Sequence, residues 1–453
     1  MVTEVELFAT SPRIFLGLLS AKLFNDAINA GLTDTLAATM DIAVRAMNGA
    51  DAVAALLDYP TISVSTIVNI FNNPNIKDFQ IAKILNSPNI SASKTADILG
   101  DLNISASKAA TILSDPNIIA DRAQSILYQM VDKNYLDKLA SIFFYGASDA
   151  TIASNTTLTT GVNRYNNLTI NSGVTLTIGA GPGVIFANTL TNNGTIASGW
   201  VKASGGAYGA PGAGAGGAGR GGIIILANTI AVGTINADGA AGGNGSNVAA
   251  NAAGGAGGAG AFWEISGYPA GTGGNGGYTY GGAGSKNAGG GGGPYSSSSA
   301  GGAGGSATVT TYTSSALLLD VYKALADCWL VNVVGKTPTT TKTMNLGGSG
   351  GGGGGANDTY GACGGGGGGG GQIIIIGGSV TAGTINARGG AGGNGGTEGS
   401  YDSGGGGGGG GVIYVFYKTL TGTFTFNVSG GAGGTGDYAG ATGGTGSAAT
   451  FAY

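Results

Sequence analysis

Tyrosine is the residue whose placement most suggests chemistry. Tyr208, Tyr268, Tyr278, Tyr280, Tyr295, Tyr360, Tyr401 and Tyr438 punctuate tracts of Gly, Ser, Asn and Thr. That mixture resembles antibody binding loops, where Tyr supplies broad contact area at low entropic cost and small polar residues supply adaptable hydrogen bonds. An aromatic face joined to a hydroxyl also suits sugar rings. The alternative is that these rings cover glycine backbone.

Catalytic chemistry is narrowed by what is missing. The chain has 453 residues and no His. Ser-His-Asp and Cys-His catalysis and His-ligated metal sites are therefore excluded. Cys328 and Cys363 are the two cysteines, too few for a thiolate zinc site or a disulfide framework. Spacing leaves open whether they pair. No clustered acids suggest calcium, and no cofactor or metal is expected. An enzyme would need carboxylates. The acids after residue 150 are Asp238, Glu264, Asp320, Asp327, Asp358, Glu398, Asp402 and Asp437. Glu398 and Asp402 are near neighbours, which keeps a glycosidase-type pair as an alternative to a chain that is not an enzyme. A net charge of −4 gives no support for nucleic-acid binding. No apolar run is long enough to span a membrane. Sequons stand at Asn89, Asn103, Asn155, Asn167, Asn193, Asn244, Asn357 and Asn427 as candidate glycosylation sites.

The elements that must position these residues fall into two kinds. Five of the 96 Gly lie in residues 1–150 and the other 91 follow. A 14-residue period runs through residues 58–127. Pro60, Pro74, Pro88, Leu102 and Pro116 keep the step, as do Ile70-Phe71, Ile84-Leu85, Ile98-Leu99 and Ile112-Leu113. Each unit fits a two-turn helix ended by Pro, with Ser91 or Ser93 capping the next. One such helix cannot bury its own apolar face, so stacking is expected.

A second repeat follows. Gly221–Gly245 aligns with Gly371–Gly395 at an offset of 150, and Gly411–Gly436 is a third copy with one inserted residue. Gly183–Gly199 is a shorter fourth. Each copy has a β-branched apolar run, a polar corner, a short GTI-type strand and a glycine tract, as in a β-solenoid or stacked sandwich. Ordered glycine costs about 0.5–1 kcal/mol more than Ala per residue, so ordered tracts need dense compensation. Laterally bonded polyglycine II helices, three residues per turn, would supply it, and flexible loops are the alternative. Ser315–Leu330 reads as a helix packed on the β-region or at a trimer contact.

The expected fold is therefore α+β and multidomain. A helical segment covers 1–57, a helical repeat domain 58–150, an alternating β-neck 151–200, and a Gly-rich β-repeat domain 201–453 with a helical insertion near 315–330.

Glycine tracts alternating with short apolar strands over residues 180–453 resemble the distal tail-fibre adhesins of T-even-type phages. The same mix, with no export signal visible, is similar to tail-spike proteins of archaeal spindle-shaped viruses. The resemblance implies a virion tail adhesin, its glycine helices forming a rigid core and its loop tips binding the host. Implied partners are a host cell-surface glycan or S-layer-type protein, other tail proteins through the helical domain, and further copies in a homo-oligomer. The alternatives are a non-viral extracellular structural or filament protein and a β-helix polysaccharide depolymerase.

Overall fold

A computed structural model describes residues 30–32, 34, 49–158, 161–179, 183–201, 217–245, 314–341, 363–396 and 402–453. The chain divides into two compact units. The first comprises Met1–Gly146 and Leu319–Lys342, and the second Ala147–Leu318 and Thr343–Tyr453. The described residues contain helices and parallel sheets, so the fold is mixed α and β.

Among the described residues of the first unit, the helices before residue 146 are α1 (Gly49–Leu57), α2 (Val64–Phe71), α3 (Asp78–Asn86), α4 (Ala92–Gly100), α5 (Ala106–Ser114), α6 (Ala120–Asp132) and α7 (Leu136–Phe144). From α2 to α6 they start 14 residues apart, and Ser63, Ser91 and Ser105 cap α2, α4 and α5. Ser91 Oγ accepts from Lys94 N at 3.1 Å, and Ser105 Oγ from Lys108 N at 3.0 Å. Helices two apart in sequence pack together: α1 on α3, α2 on α4, α3 on α5, α4 on α6 and α5 on α7. Their Ile, Leu and Phe pairs form the core, with Ile70, Phe71, Ile84, Leu85, Ile98, Leu99, Ile112 and Leu113 all at 0% exposure.

A further helix, α8 (Ser314–Trp329), continues through a wider turn at Leu330–Val334. From Leu319 onward it belongs to the helical unit, not to the β-region on which its sequence position suggests it would pack. Leu325, Trp329 and Leu330 are buried there, and the Trp329 ring lies 5.8 Å from that of Phe143. Two donors, the buried Gln124 Nε2 and the half-buried Tyr128 Oη, hold Asp327 at 2.8 and 2.7 Å. A buried carboxylate needs such donors, and no apolar sheet surface would provide them.

The second unit is built from two parallel sheets. Long strands β1 (Ala150–Ile152), β3 (Gly161–Ile170), β5 (Gly183–Asn192), β9 (Ile223–Ala231), β11 (Gln372–Thr381), β13 (Val412–Thr421) and β15 (Ser447–Ala452) form one sheet in that order. Short strands β2 (Thr156–Leu158), β4 (Thr175–Ile178), β6 (Thr195–Ser198), β10 (Thr234–Asn236), β12 (Thr384–Asn386) and β14 (Thr425–Asn427) form the other. The 150-residue sequence offset is also the pairing register: Ile373 sits against Ile223 and Ile385 against Ile235. Between the sheets, Ile185, Ile225, Ile375 and Val415 meet Ile196, Ile235 and Ile385 in one core. The pair β7 (Trp200–Val201) and β8 (Gly219–Arg220) is antiparallel.

Glycine tracts flank the strands and bond to one another in steps of three. Gly364, Gly367 and Gly370 donate to Ser403, Gly406 and Gly409 at 2.8–3.0 Å. Their neighbours Gly365, Gly368 and Gly371 donate the opposite way, to Gly243, Ala240 and Ala237. Gly390 and Gly393 donate in turn to Gly368 and Gly365. The tracts before the long strands run parallel to one another and antiparallel to those after the short strands.

Candidate functional site

Of the eight candidate tyrosines, Tyr438 lies within the described residues. Tyr208, Tyr268, Tyr278, Tyr280, Tyr295, Tyr360 and Tyr401 lie outside them. Tyr438 is half-buried and bridges Ser403, its N–H donating to Asp402 O at 3.2 Å and its carbonyl accepting from Gly404 N at 2.8 Å. Its backbone is thus part of the tract layer.

The described sequons divide by the state of their amide nitrogen. Asn89, Asn103 and Asn167 are exposed, but Nδ2 donates to Asp51 O, Asp101 Oδ1 and Asp149 Oδ1 respectively. Asn427 is half-buried and its Nδ2 donates to Asn386 Oδ1 at 2.5 Å. Asn155 and Asn244 are exposed and accept through Oδ1, from Thr175 N and Asn394 N. Asn193 is exposed as well, and Asn357 lies outside the described residues.

Among the described residues, Asp238 and Asp327 are engaged by donors. Asp238 receives Arg388 Nη2 at 2.6 Å and Nε at 3.0 Å, and the bond and charge of Asp238 raise the guanidinium pKa. Asp327 is buried on Gln124 and Tyr128. Asp402 is buried, its N–H on Asp437 Oδ2 at 3.3 Å. Glu264, Asp358 and Glu398 lie outside the described residues. Among the described residues no group of three acids or thiols could hold a metal ion. No disulfide joins Cys328 to Cys363. Burial first, and the charge of Asp327 second, push the Cys328 thiol up to about 12, which makes it an inert apolar residue.

The register of the sheets assembles a polar surface. In the long strands, Leu168, Leu190, Ile230 and Val380 point into the core, so the residues on either side of each point out. Two columns result. Asn167, Thr189, Thr229, Ser379 and Thr419 pair side by side in one, and Thr169, Thr191, Ala231, Thr381 and Thr421 in the other. Thr229, Ser379, Thr381, Thr419 and Thr421 are exposed. The short sheet repeats the device with Thr175, Thr195, Thr234, Thr384 and Thr425 in line. No column contains a charged residue. A ladder of side chains pins the bend beside the first column: Asn166 donates to Asp149 at 2.9 Å, Asn228 to Asn188 at 2.9 Å, and Asn188 to Asn166 at 3.4 Å. Parallel pairing sets neighbouring hydroxyls about 4.8 Å apart along a fixed line.

A sequence reading that ranks residues by rarity passes over these threonines. Their signal is positional: the aligned triplets NLT, TLT, TIA, SVT and TLT occupy equivalent places in successive strands.

The tract layer carries a second ordered face. Exposed Arg388, Ala391 and Asn394 alternate with glycines at every third position, and exposed Ser429, Ala432 and Thr435 do the same in the next tract. Asn394 N donates to Asn244 Oδ1 and Thr435 N to Asn394 Oδ1, both at 2.9 Å. No helix among the described residues is long and apolar enough to cross a membrane. No family model matches the chain, and no curated protein and no solved structure matches it.

Proposed function

We propose that this chain is a virion tail adhesin that binds a host cell-surface glycan. In this reading the parallel sheets form a β-solenoid, the glycine tracts form a polyglycine II layer that stiffens it, and the helical repeats face other tail proteins. The virion setting rests on the sequence resemblance. The binding role rests on one observation, the in-register hydroxyl and amide columns of the two sheets. Thr, Ser and Asn side chains both donate and accept, as sugar hydroxyls do, so a regular row of them offers reciprocal bonds to a polyol. The sheet beneath holds each hydroxyl in place, which removes much of the ordering cost of binding. The absence of charge from the columns favours a neutral glycan over an anionic one.

The test is adsorption of the purified chain to host cells or their envelope fraction. Thr229→Val together with Thr419→Val removes two hydroxyls and retains β-branched side chains at exposed strand positions. Adsorption should fall at least tenfold, the order expected from losing two bonds of about 1 kcal/mol each. The unfolding midpoint should change little. A wild-type chain that adsorbs to no host fraction would remove the adhesin reading, and full adsorption by the double variant would remove these columns from it.

A further inference from the structure

The course of the helical unit leaves one position to be filled from elsewhere. Three cations in this unit reach back about two repeats to carbonyls at the end of an earlier helix or in the corner that follows it. Lys94 Nζ donates to Ile62 O at 2.7 Å. Arg122 donates to Leu85 O at 2.8 Å and to Ile90 O at 2.6 Å. Lys138 Nζ donates to Asp101 O at 3.0 Å and to Ile104 O. The last carbonyls of a helix lack partners within it and carry partial negative charge, so a cation there satisfies both demands.

Leu113 and Asp115 come next in this series, 28 residues after Leu85 and 14 after Asp101. Their cation should stand 28 residues after Arg122 or 14 after Lys138, at position 150 or 152. Those positions are Ala150 and Ile152, in β1, where the helices have ended. Lys336 Nζ instead donates to Leu113 O and to Asp115 O, each at 2.7 Å.

We propose that residues 319–342 are the closing repeat of the helical unit, delivered out of sequence from within the glycine-rich chain. The remaining contacts match that role. The segment packs on α6, as a helix two places further on would under the alternate packing of this unit. Thr339 N and Oγ1 donate to the two oxygens of Asp121 at 2.6 and 2.7 Å. Lys323 Nζ pairs with Asp132 at 2.6 Å and lies 5.6 Å from the centre of the Tyr128 ring. The chain enters this segment from the second unit and returns to it. The helical unit is therefore complete only once the chain has been made as far as residue 342, which couples its stability to the glycine-rich part.

Hydrogen exchange on the full chain tests this with Lys336→Met and, separately, Asp327→Asn. The strand amides of the second unit serve as internal standard. Amides of α5 and α6 should exchange roughly tenfold faster in both variants, in step with those of residues 319–334, because each change removes a charge-assisted contact. Lys336→Met leaves the buried Asp327 network intact, so it remains informative if Asp327→Asn fails to fold. Faster exchange confined to 319–334, or no change in α5 and α6, would overturn the proposal.

Discussion

Gly390→Ala probes the glycine layer most directly. A Cβ on Gly390 would fall 1.9 Å from Ala240 O and 2.4 Å from its carbonyl carbon. Both are backbone atoms of a neighbouring tract, so no side chain can swing aside. The two tracts must part by roughly 1 Å before the contact reaches even a tight van der Waals distance. Across that same pair of tracts Gly239 N donates to Arg388 O and Gly242 N to Ala391 O, each at 2.8 Å. Stretched by that much, both bonds exceed the range in which N–H···O bonds hold, about 2.7–3.2 Å. Two amide bonds left unmade between packed tracts cost about 1–3 kcal/mol each. The narrower unfolded ensemble of Ala returns about 0.4–1 kcal/mol. The net expectation is a loss of roughly 1–5.5 kcal/mol, large for one methyl group. Ala391→Gly, one residue along, is the control. Ala391 is exposed, and losing its methyl should cost only about 0.5–1 kcal/mol of chain entropy. The assay is denaturant unfolding of both variants beside the wild type, with strand fluorescence and exchange at Gly239 and Gly242 as separate probes. A Gly390→Ala protein within about 0.5 kcal/mol of wild type would mean the tracts are not laterally packed, since surface changes fall in that range.

Two further expectations follow from the helical unit. At pH 8 the Cys328 thiol, pushed up to about 12, should react with a thiol reagent roughly a thousandfold slower than an ordinary cysteine, read by peptide mapping; labelling at the ordinary rate with the fold intact would refute its burial. Burial lowers the Lys336 ammonium to about 8, outweighing the charge of Asp115. The unfolded chain then binds the extra proton between about pH 8 and its ordinary value of 10.5, so folded stability from this group rises across that window and is flat below it. The stability gap between wild type and Lys336→Met should widen in favour of wild type over that range; a gap that stays level or narrows would refute the sign.

How much of this fold is legible in the sequence depends on whether a feature is local or comes from distant chain. The 14-residue spacing marks the helix starts, because capping by Ser91 and Ser105 acts within three residues. The alternate packing of helices is not legible, because Ile62 meets Lys94 through a crossing that no local pattern encodes. In the second unit the 150-residue offset carries the register intact, because parallel pairing of matching modules places Ile373 on Ile223 and a one-residue slip would turn one of them outward. The triplet spacing in Ala387–Asn394 marks which residues face out, since the tract's hydrogen bonds recur at every third residue and leave Arg388, Ala391 and Asn394 exposed. Residues 319–342 escape for the opposite reason. Their apolar face reads as a helix that needs a surface, yet periodicity cannot say which surface. Asp327 holds that information. A carboxylate in the middle of an apolar helix requires buried donors, and Gln124 and Tyr128 of α6 are polar residues on a helix face otherwise buried as Ala123, Ile126, Leu127 and Met130. Two polar groups misplaced on separate apolar faces are individually costly and jointly satisfied. The threonine columns are the converse case: each residue is unremarkable alone, and only the register turns five of them into a surface.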